Sequence, residues 1–176
     1  MKDRELLIGV TGGIAAFKTA ALVSRLVQAG AGVTVVMTHS ATKLVGPKTF
    51  EALTGRPVGL RTFGRGAHPH IELAHAAQLL CVAPATANIL AKAAAGLADD
   101  LLSTVLLSFD GPTIFAPAMN TQMWQKPAVQ RNIAQLKADG AILVGPDEGY
   151  LSCGMTGAGR MAEPDRIFQA IAAALA

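Results

Sequence analysis

The 176 residues are 51% hydrophobic and only 15% charged, with 15 Lys and Arg against 12 Asp and Glu for a formal charge of +3. Such a composition is the reverse of a disordered chain, suits one domain with its own core, and contains no run of Lys or Arg to mark a nucleic-acid surface. Two cysteines, Cys81 and Cys153, make no CxxC pair or zinc spacing, so reduced thiols, no metal site and a cytoplasmic location are expected, with no leader or span of about 20 apolar residues to suggest export or a membrane.

Leu6 to Thr11 predicts a short buried strand that stops at Gly12-Gly13, and Ile14, Phe17, Ala21, Leu22 and Leu26 then keep helical spacing as far as Gln28. Val33 to Met37 is a β-branched second strand ending in Thr38-His39-Ser40, so the opening reads as a βαβ unit. Ile71-Glu72-Leu73, just after His70, starts a helix leading into a third strand, Leu79 to Ala83. Pro84 follows, and Thr86 suits the cap of a helix reaching about Ala95. Next come a helix over Asp99 to Phe109, a strand over Thr113 to Ala116, a helix over Ala128 to Ala138 and a strand over Ala141 to Val144. From Gly145 to Glu163 the glycine-rich sequence predicts a long structureless loop, a length typical of lids and binding loops, before a last helix from about Pro164.

Nearly continuous apolar strands alternating with helices predict an α/β domain over 1–176, a parallel sheet covered on both faces. Ligands of such sheets bind beyond the carboxyl ends of the strands. The unusual glycine and polar segments stand there: Gly12-Gly13, Thr38-His39-Ser40, Pro84 to Asn88 and Pro117 to Asn120. The first turn matches neither GxGxxG nor a Walker A loop, because Ile14 and Phe17 occupy the required glycine positions. It reads either as a phosphate-binding helix N-terminus or as a plain tight turn.

Among the titratable residues, His39, His68, His70 and His75 are candidate bases, and spacing alone does not separate His70 from His68. Cys81, inside LLCVA, reads as a small buried hydrophobe, whereas Cys153 lies among glycines as a candidate proton donor. Asn120 fits either a turn or a carboxylate contact, and Met119, Met123 and Trp124 fit packing or the wall of a flat ring.

The runs HIELA (His70 to Ala74), APATAN (Ala83 to Asn88), GLADDLLST (Gly96 to Thr104), APAMNTQMW (Ala116 to Trp124) and SCGMTGAGRMAEP (Ser152 to Pro164) together resemble the FMN-dependent cysteine decarboxylases. The resemblance is nearest to those members that decarboxylate 4'-phosphopantothenoylcysteine in coenzyme A biosynthesis. It implies a flavodoxin-like fold, assembly as homotrimers or as dodecamers of trimers, and FMN held between protomers. Carried over by position, Gly12, Gly13, Ile14, Thr38, Ser40, Thr86, Ala87, Asn88 and Ala118 contact the flavin. His70 is the implied base, Asn120 holds the substrate carboxylate, Cys153 donates a proton, Met123 and Arg160 complete the substrate contacts, and the 145–163 segment closes as a lid.

The implied chemistry explains the residue types. A cysteine carboxylate loses CO2 only with difficulty, because the resulting carbanion has nowhere to delocalise; oxidation of its CH2–S group to a thioaldehyde supplies the sink. Loss of CO2 leaves an enethiolate, which a polar site stabilises, and re-reduction gives 4'-phosphopantetheine. Met155 departs from the family's usual Asp. Relatives of this kind are often fused to a synthetase, so the chain is expected to be either a stand-alone enzyme or one domain of a larger one. Two alternatives stay open: a peptidyl-cysteine decarboxylase of the lantibiotic-maturing type, and a flavin-binding regulatory protein without turnover.

Overall fold

The computed structural model describes residues 1–63, 68–152 and 154–176. Five strands form the central sheet: β1 (Glu5–Val10), β2 (Gly32–Met37), β3 (Leu79–Ala85), β4 (Thr113–Pro117) and β5 (Ile142–Leu143). All pair in parallel, in the order β2-β1-β3-β4-β5. This is the flavodoxin-like order, and its topological switch lies between β1 and β3, where the chain turns from building one side of the sheet to building the other.

Helices α1 (Ala16–Gln28), α2 (Pro47–Thr54), α3 (Pro69–Ala76), α4 (Ala87–Ala95), α5 (Leu101–Ser108), α6 (Thr121–Trp124), α7 (Pro127–Ala138) and α8 (Pro164–Ala174) complete the domain. Side-chain alternation along β1 divides the core in two. Leu6, Ile8 and Val10 pack with Leu22 and Leu26 of α1, Phe50 of α2, and Ile167 and Ile171 of α8. Leu7 packs on the opposite face with Leu80, Val82 and Phe115, under Ile89 and Leu90 of α4, Leu102 and Val105 of α5, and Ile133 of α7. Each such burial contributes roughly 1.5–3 kcal/mol, whereas an exposed ion pair contributes about 0–1 kcal/mol, so the two apolar layers hold the sheet. Gly9 lets α5 lie close on β1: a Cβ there would stand 2.6 Å from Leu102 Cδ1.

The structure departs from the sequence reading at several points, among them the short helix α6, to which no element was assigned. Helix α1 starts at Ala16 rather than Ile14, because Gly13 N–H donates to Thr11 O and Ala16 N–H to Gly13 O, which curls the intervening residues into a turn. Helix α2 occupies a segment to which the apolar spacing assigned no element; its signals are Pro47 in the first turn and Gly55 in the left-handed region at its end (φ +67). The 145–163 segment is not structureless. It holds the antiparallel hairpin of β6 (Asp147–Tyr150) and β7 (Thr156–Arg160). Glycines at 149, 157 and 159 remove the side-chain alternation by which such strands are recognised. No helix among the described residues is long and apolar enough to cross a membrane.

Candidate active site

At the switch point, two buried threonines fix the turns to each other. The β3–β4 register shifts between Val82 and Ala85, and the intervening carbonyls are taken by side chains. Thr19 Oγ1 donates to Ala83 O at 2.7 Å, and Thr11 Oγ1 donates to Pro84 O at 2.6 Å. Thr86 N–H donates back to Thr11 Oγ1 at 3.2 Å, while the Thr86 hydroxyl caps α4 as its sequence position predicts. Thr11 is 2% exposed, so a missing hydroxyl would leave the Pro84 carbonyl without its partner away from water.

The β4 end joins the same edge. Ala118 N–H donates to Ala85 O at 3.0 Å, and Asn120 Oδ1 accepts from Met123 N–H at 2.7 Å, capping α6. Both readings of Asn120 are therefore compatible, since the cap uses the oxygen and leaves the amide nitrogen for a ligand. The hairpin is seated here through its glycines. Met119 N–H donates to Gly159 O at 2.9 Å, and a Cβ on Gly159 would meet Met119 O at 2.2 Å. A Cβ on Gly157 would likewise stand 2.5 Å from Thr121 Oγ1.

These segments enclose a cavity of about 660 Å³. Of the residues expected to contact the flavin, Gly12, Gly13, Ile14, Thr86, Ala87 and Ala118 line it; so do the expected substrate contacts Asn120, Met123 and Arg160. Among the described residues, the N–H groups of Gly12, Ile14 and Ala15 find no acceptor. Around them Ile14, Phe17, Met123 and Tyr150 are exposed. Free donors at the N-terminal turn of a helix, beside uncovered apolar side chains, suit a ligand with a flat ring and an anionic tail.

Lys18 and the hairpin residues Tyr150, Leu151 and Ser152 also line the cavity, and the sequence reading assigned no site role to any of them individually. The available signal for Lys18 was a lone cation in the otherwise uncharged first half of α1. Its side chain is 14% exposed and its Nζ lies 2.8 Å from Glu163 Oε1, the oxygen that Arg160 also approaches at 2.6 Å. The hydrogen bond from Lys18, reinforced by Arg160, holds the Glu163 carboxyl below the usual carboxylate range.

Thr38, Ser40, Asn88 and His70 do not line the cavity. Ser40 stands beside it, since a Cβ on Gly12 would fall 2.4 Å from Ser40 Cβ. Thr38 Oγ1 accepts from Ala41 N–H at 3.3 Å at the same end of β2, and Asn88 is exposed on the first turn of α4. His70 lies in the first turn of α3, the helix that leads into β3. Its Nδ1 is buried without a partner among the described residues, while His68, with its ring 6.3 Å away edge-on, is exposed. Cys153 lies outside the described residues. Cys81 is fully buried, and burial pushes its thiol up to about 12, which makes it the inert hydrophobe expected.

A second cavity, of about 380 Å³, lies at the opposite, amino edge of the sheet near Thr113 and Ala141. It is lined by Lys92, whose Nζ sits 2.5 Å from Asp99 Oδ1 and 2.8 Å from Asp100 Oδ2. Among the described residues no group of three or more His, Cys, Asp or Glu is placed to hold a metal.

Residues 1–176 match a protein-family model described as Flavoprotein. The coenzyme A biosynthesis bifunctional protein CoaBC of Bacillus subtilis (strain 168) is 49% identical over 171 residues, which is 95% of this chain and 42% of that protein. The chain thus spans about two fifths of the length of this curated relative. Among solved structures, a mutant PPC decarboxylase complexed with pantothenoylaminoethenethiol superposes with a TM-score of 0.87 at 32% identity, covering 98% of both chains. The FMN-dependent cysteine decarboxylase SpaF superposes with a TM-score of 0.84 at 37% identity, covering 99% of this chain and 98% of its own.

Proposed function

The chain belongs to the flavoprotein family, and from that premise we propose that it is an FMN-dependent decarboxylase converting 4'-phosphopantothenoylcysteine to 4'-phosphopantetheine and CO2, in the cytoplasm. The observation that carries this reading is the convergence of the β1–α1, β3–α4 and β4–α6 turns and the β6–β7 hairpin on one cavity with unused backbone donors. The likeness to a bifunctional coenzyme A biosynthesis protein and to a PPC decarboxylase supports it.

The cavity fits the cofactor. Gly12, Gly13, Ile14, Thr86, Ala87 and Ala118 would hold FMN on a wall made largely of backbone, with Thr38, Ser40 and Asn88 at its margin. Bound FMN supplies a two-electron acceptor that takes electrons from the substrate and returns them, leaving the overall reaction redox-neutral. Asn120, its oxygen fixed by Met123 N–H, keeps its amide nitrogen for the substrate carboxylate. Met123 and Arg160 flank the substrate, His70 serves as base, and Cys153 gives its proton to the saturated product. The β6–β7 hairpin covers the reacting groups and excludes water.

His70 does not line its own protomer's cavity, and the uncovered apolar side chains around that cavity call for a partner. Both points support a homotrimer, or a dodecamer of trimers, in which His70 completes the site of a neighbouring protomer. Co-expression of His70→Asn with Asn120→Ala, each inactive alone, then restores part of the activity; no recovery in mixed oligomers refutes the shared site.

The deciding experiment is product mass analysis with 4'-phosphopantothenoylcysteine and, in parallel, a peptide ending in cysteine. Purified protein should carry oxidised, non-covalent FMN and release CO2 from the first substrate. Turnover of the peptide alone identifies a peptidyl-cysteine decarboxylase instead, and bound FMN with no turnover identifies a regulatory protein. His70→Asn should abolish CO2 release while His68→Asn retains it. Cys153→Ser should release CO2 yet stop at the unreduced enethiol, and a normal yield of 4'-phosphopantetheine would remove Cys153 from the mechanism.

A further inference from the structure

Lys18 and Arg160 come from opposite ends of the chain, one on α1 and one on β7, yet both line the main cavity and both bond the same oxygen of Glu163. Two cations on one carboxylate leave a net positive charge on the cavity wall. Glu163 is well anchored: it follows buried Met161 and Ala162 and stands at the N-cap of α8. Gly149 keeps the path of Arg160 open, since a Cβ there would lie 3.3 Å from Arg160 Cδ and Nη1. A neighbouring α1–α8 ion pair, Arg25 with Asp165, shows what a simple tether looks like, with side chains 44% and 69% exposed. Lys18, at 14% exposure and on the cavity wall, is placed differently.

We propose that Lys18 and Arg160, aligned by Glu163 as a positioning residue, form the subsite that recognises the phosphate monoester of the substrate, an assignment that rests on the decarboxylase reading above. A phosphate accepts charge-assisted hydrogen bonds from both cations at once. The scissile carboxylate is a poor occupant. Two cations on it would stabilise the ground-state anion more than the neutral CO2 that leaves, and would raise the barrier to decarboxylation. A phosphate remote from the reacting bond carries no such penalty and lends its binding energy to orientation.

The test compares kcat/KM for 4'-phosphopantothenoylcysteine with kcat/KM for pantothenoylcysteine, which lacks the phosphate, on FMN-loaded enzyme. Wild type should prefer the phosphorylated substrate. Lys18→Gln and Arg160→Gln should each lower that preference about 10- to 100-fold, the range for a hydrogen bond to a charged group, with the loss in KM. Glu163→Ala should lower it too, and Glu163→Gln, which restores the acceptor oxygen, should recover most of it. Lys48→Gln, which removes an exposed cation paired to Glu51 outside the cavity, should leave the preference intact. Three results overturn the assignment: no preference in wild type, an unchanged preference with only a lower Tm in the Lys18 variant, or loss of FMN in parallel with loss of preference. Failure of wild type to turn over either substrate refutes the decarboxylase reading itself, and is read separately from the ratio.

Discussion

The two edges of the sheet each hold a cavity with one lysine at 14% exposure, and their surroundings are opposite. At the amino edge, Lys92 meets two carboxylates, and Asp100 and Ser103 complete a reciprocal cap on α5. At the carboxyl edge, Lys18 shares a single carboxylate with Arg160, and three backbone N–H groups have no acceptor among the described residues. In the first region the lysine's charge is balanced by two carboxylates, and the cluster works as structure. The second leaves donors and positive charge unspent, which is what a site awaiting an anionic ligand requires. Cavity volume alone does not distinguish function; the balance of charge around the lysine does.

Breaking the carboxyl edge should have the largest effect. Gly159→Ala places a Cβ against the Met119 carbonyl at a positive φ of 141°, so it unseats the hairpin from the β4–α6 turn. Turnover should fall on the order of 100-fold through misplacement of the reacting groups, as measured by steady-state CO2 release, and near-normal kinetics would show that the hairpin's seat does not matter. Thr11→Val comes next: it removes the hydroxyl that joins the β1 and β3 ends and leaves the Pro84 carbonyl without its donor. Denaturant unfolding should report a loss of about 1–3 kcal/mol, accompanied by weaker FMN retention.

At the amino edge the expected effects are smaller and confined to stability. Burial pushes the Asp100 carboxyl up, but hydrogen bonds from Lys92 and from the Ser103 backbone outweigh it and hold the group low. A depressed carboxyl contributes stability above its unfolded value of about 3.9 and loses it as pH falls through the folded one. Asp100→Asn should therefore cost about 1 kcal/mol at pH 7, after allowance for solvent screening, with the difference from wild type shrinking in acid and kcat unchanged. Smallest of all, Cys81 should resist alkylation in the native protein at pH 8, because its thiol stays protonated and buried; peptide mapping that finds it labelled would contradict the packing.

Much of this contrast is legible in the residue order. The runs LLIGVT, VTVVM, LLCVA and TIFA read as strands because a sheet buried on both faces demands nearly continuous apolar side chains, and their glycine and polar ends mark the ligand-binding edge. The hairpin was hidden because its glycines serve a close approach to Met119 and Thr121, residues distant in the chain, and so erase the alternation that announces a strand. Lys18 was hidden for a related reason. On α1 it is one polar residue among several, and only its pairing with a carboxylate 145 positions away gives it meaning.

Local pattern thus determined the element types, the parallel sheet and the segments that face the ligand, since each depends on periodicity within a few residues. Tertiary structure alone decided which polar groups find partners: the threonine bonds at the switch point, the doubly claimed oxygen of Glu163, and the isolation of His70 from its own cavity. The physical reason is range. Burial and helical spacing act along the chain, whereas the satisfaction of a charge or an N–H is settled by groups that only folding brings within hydrogen-bond distance.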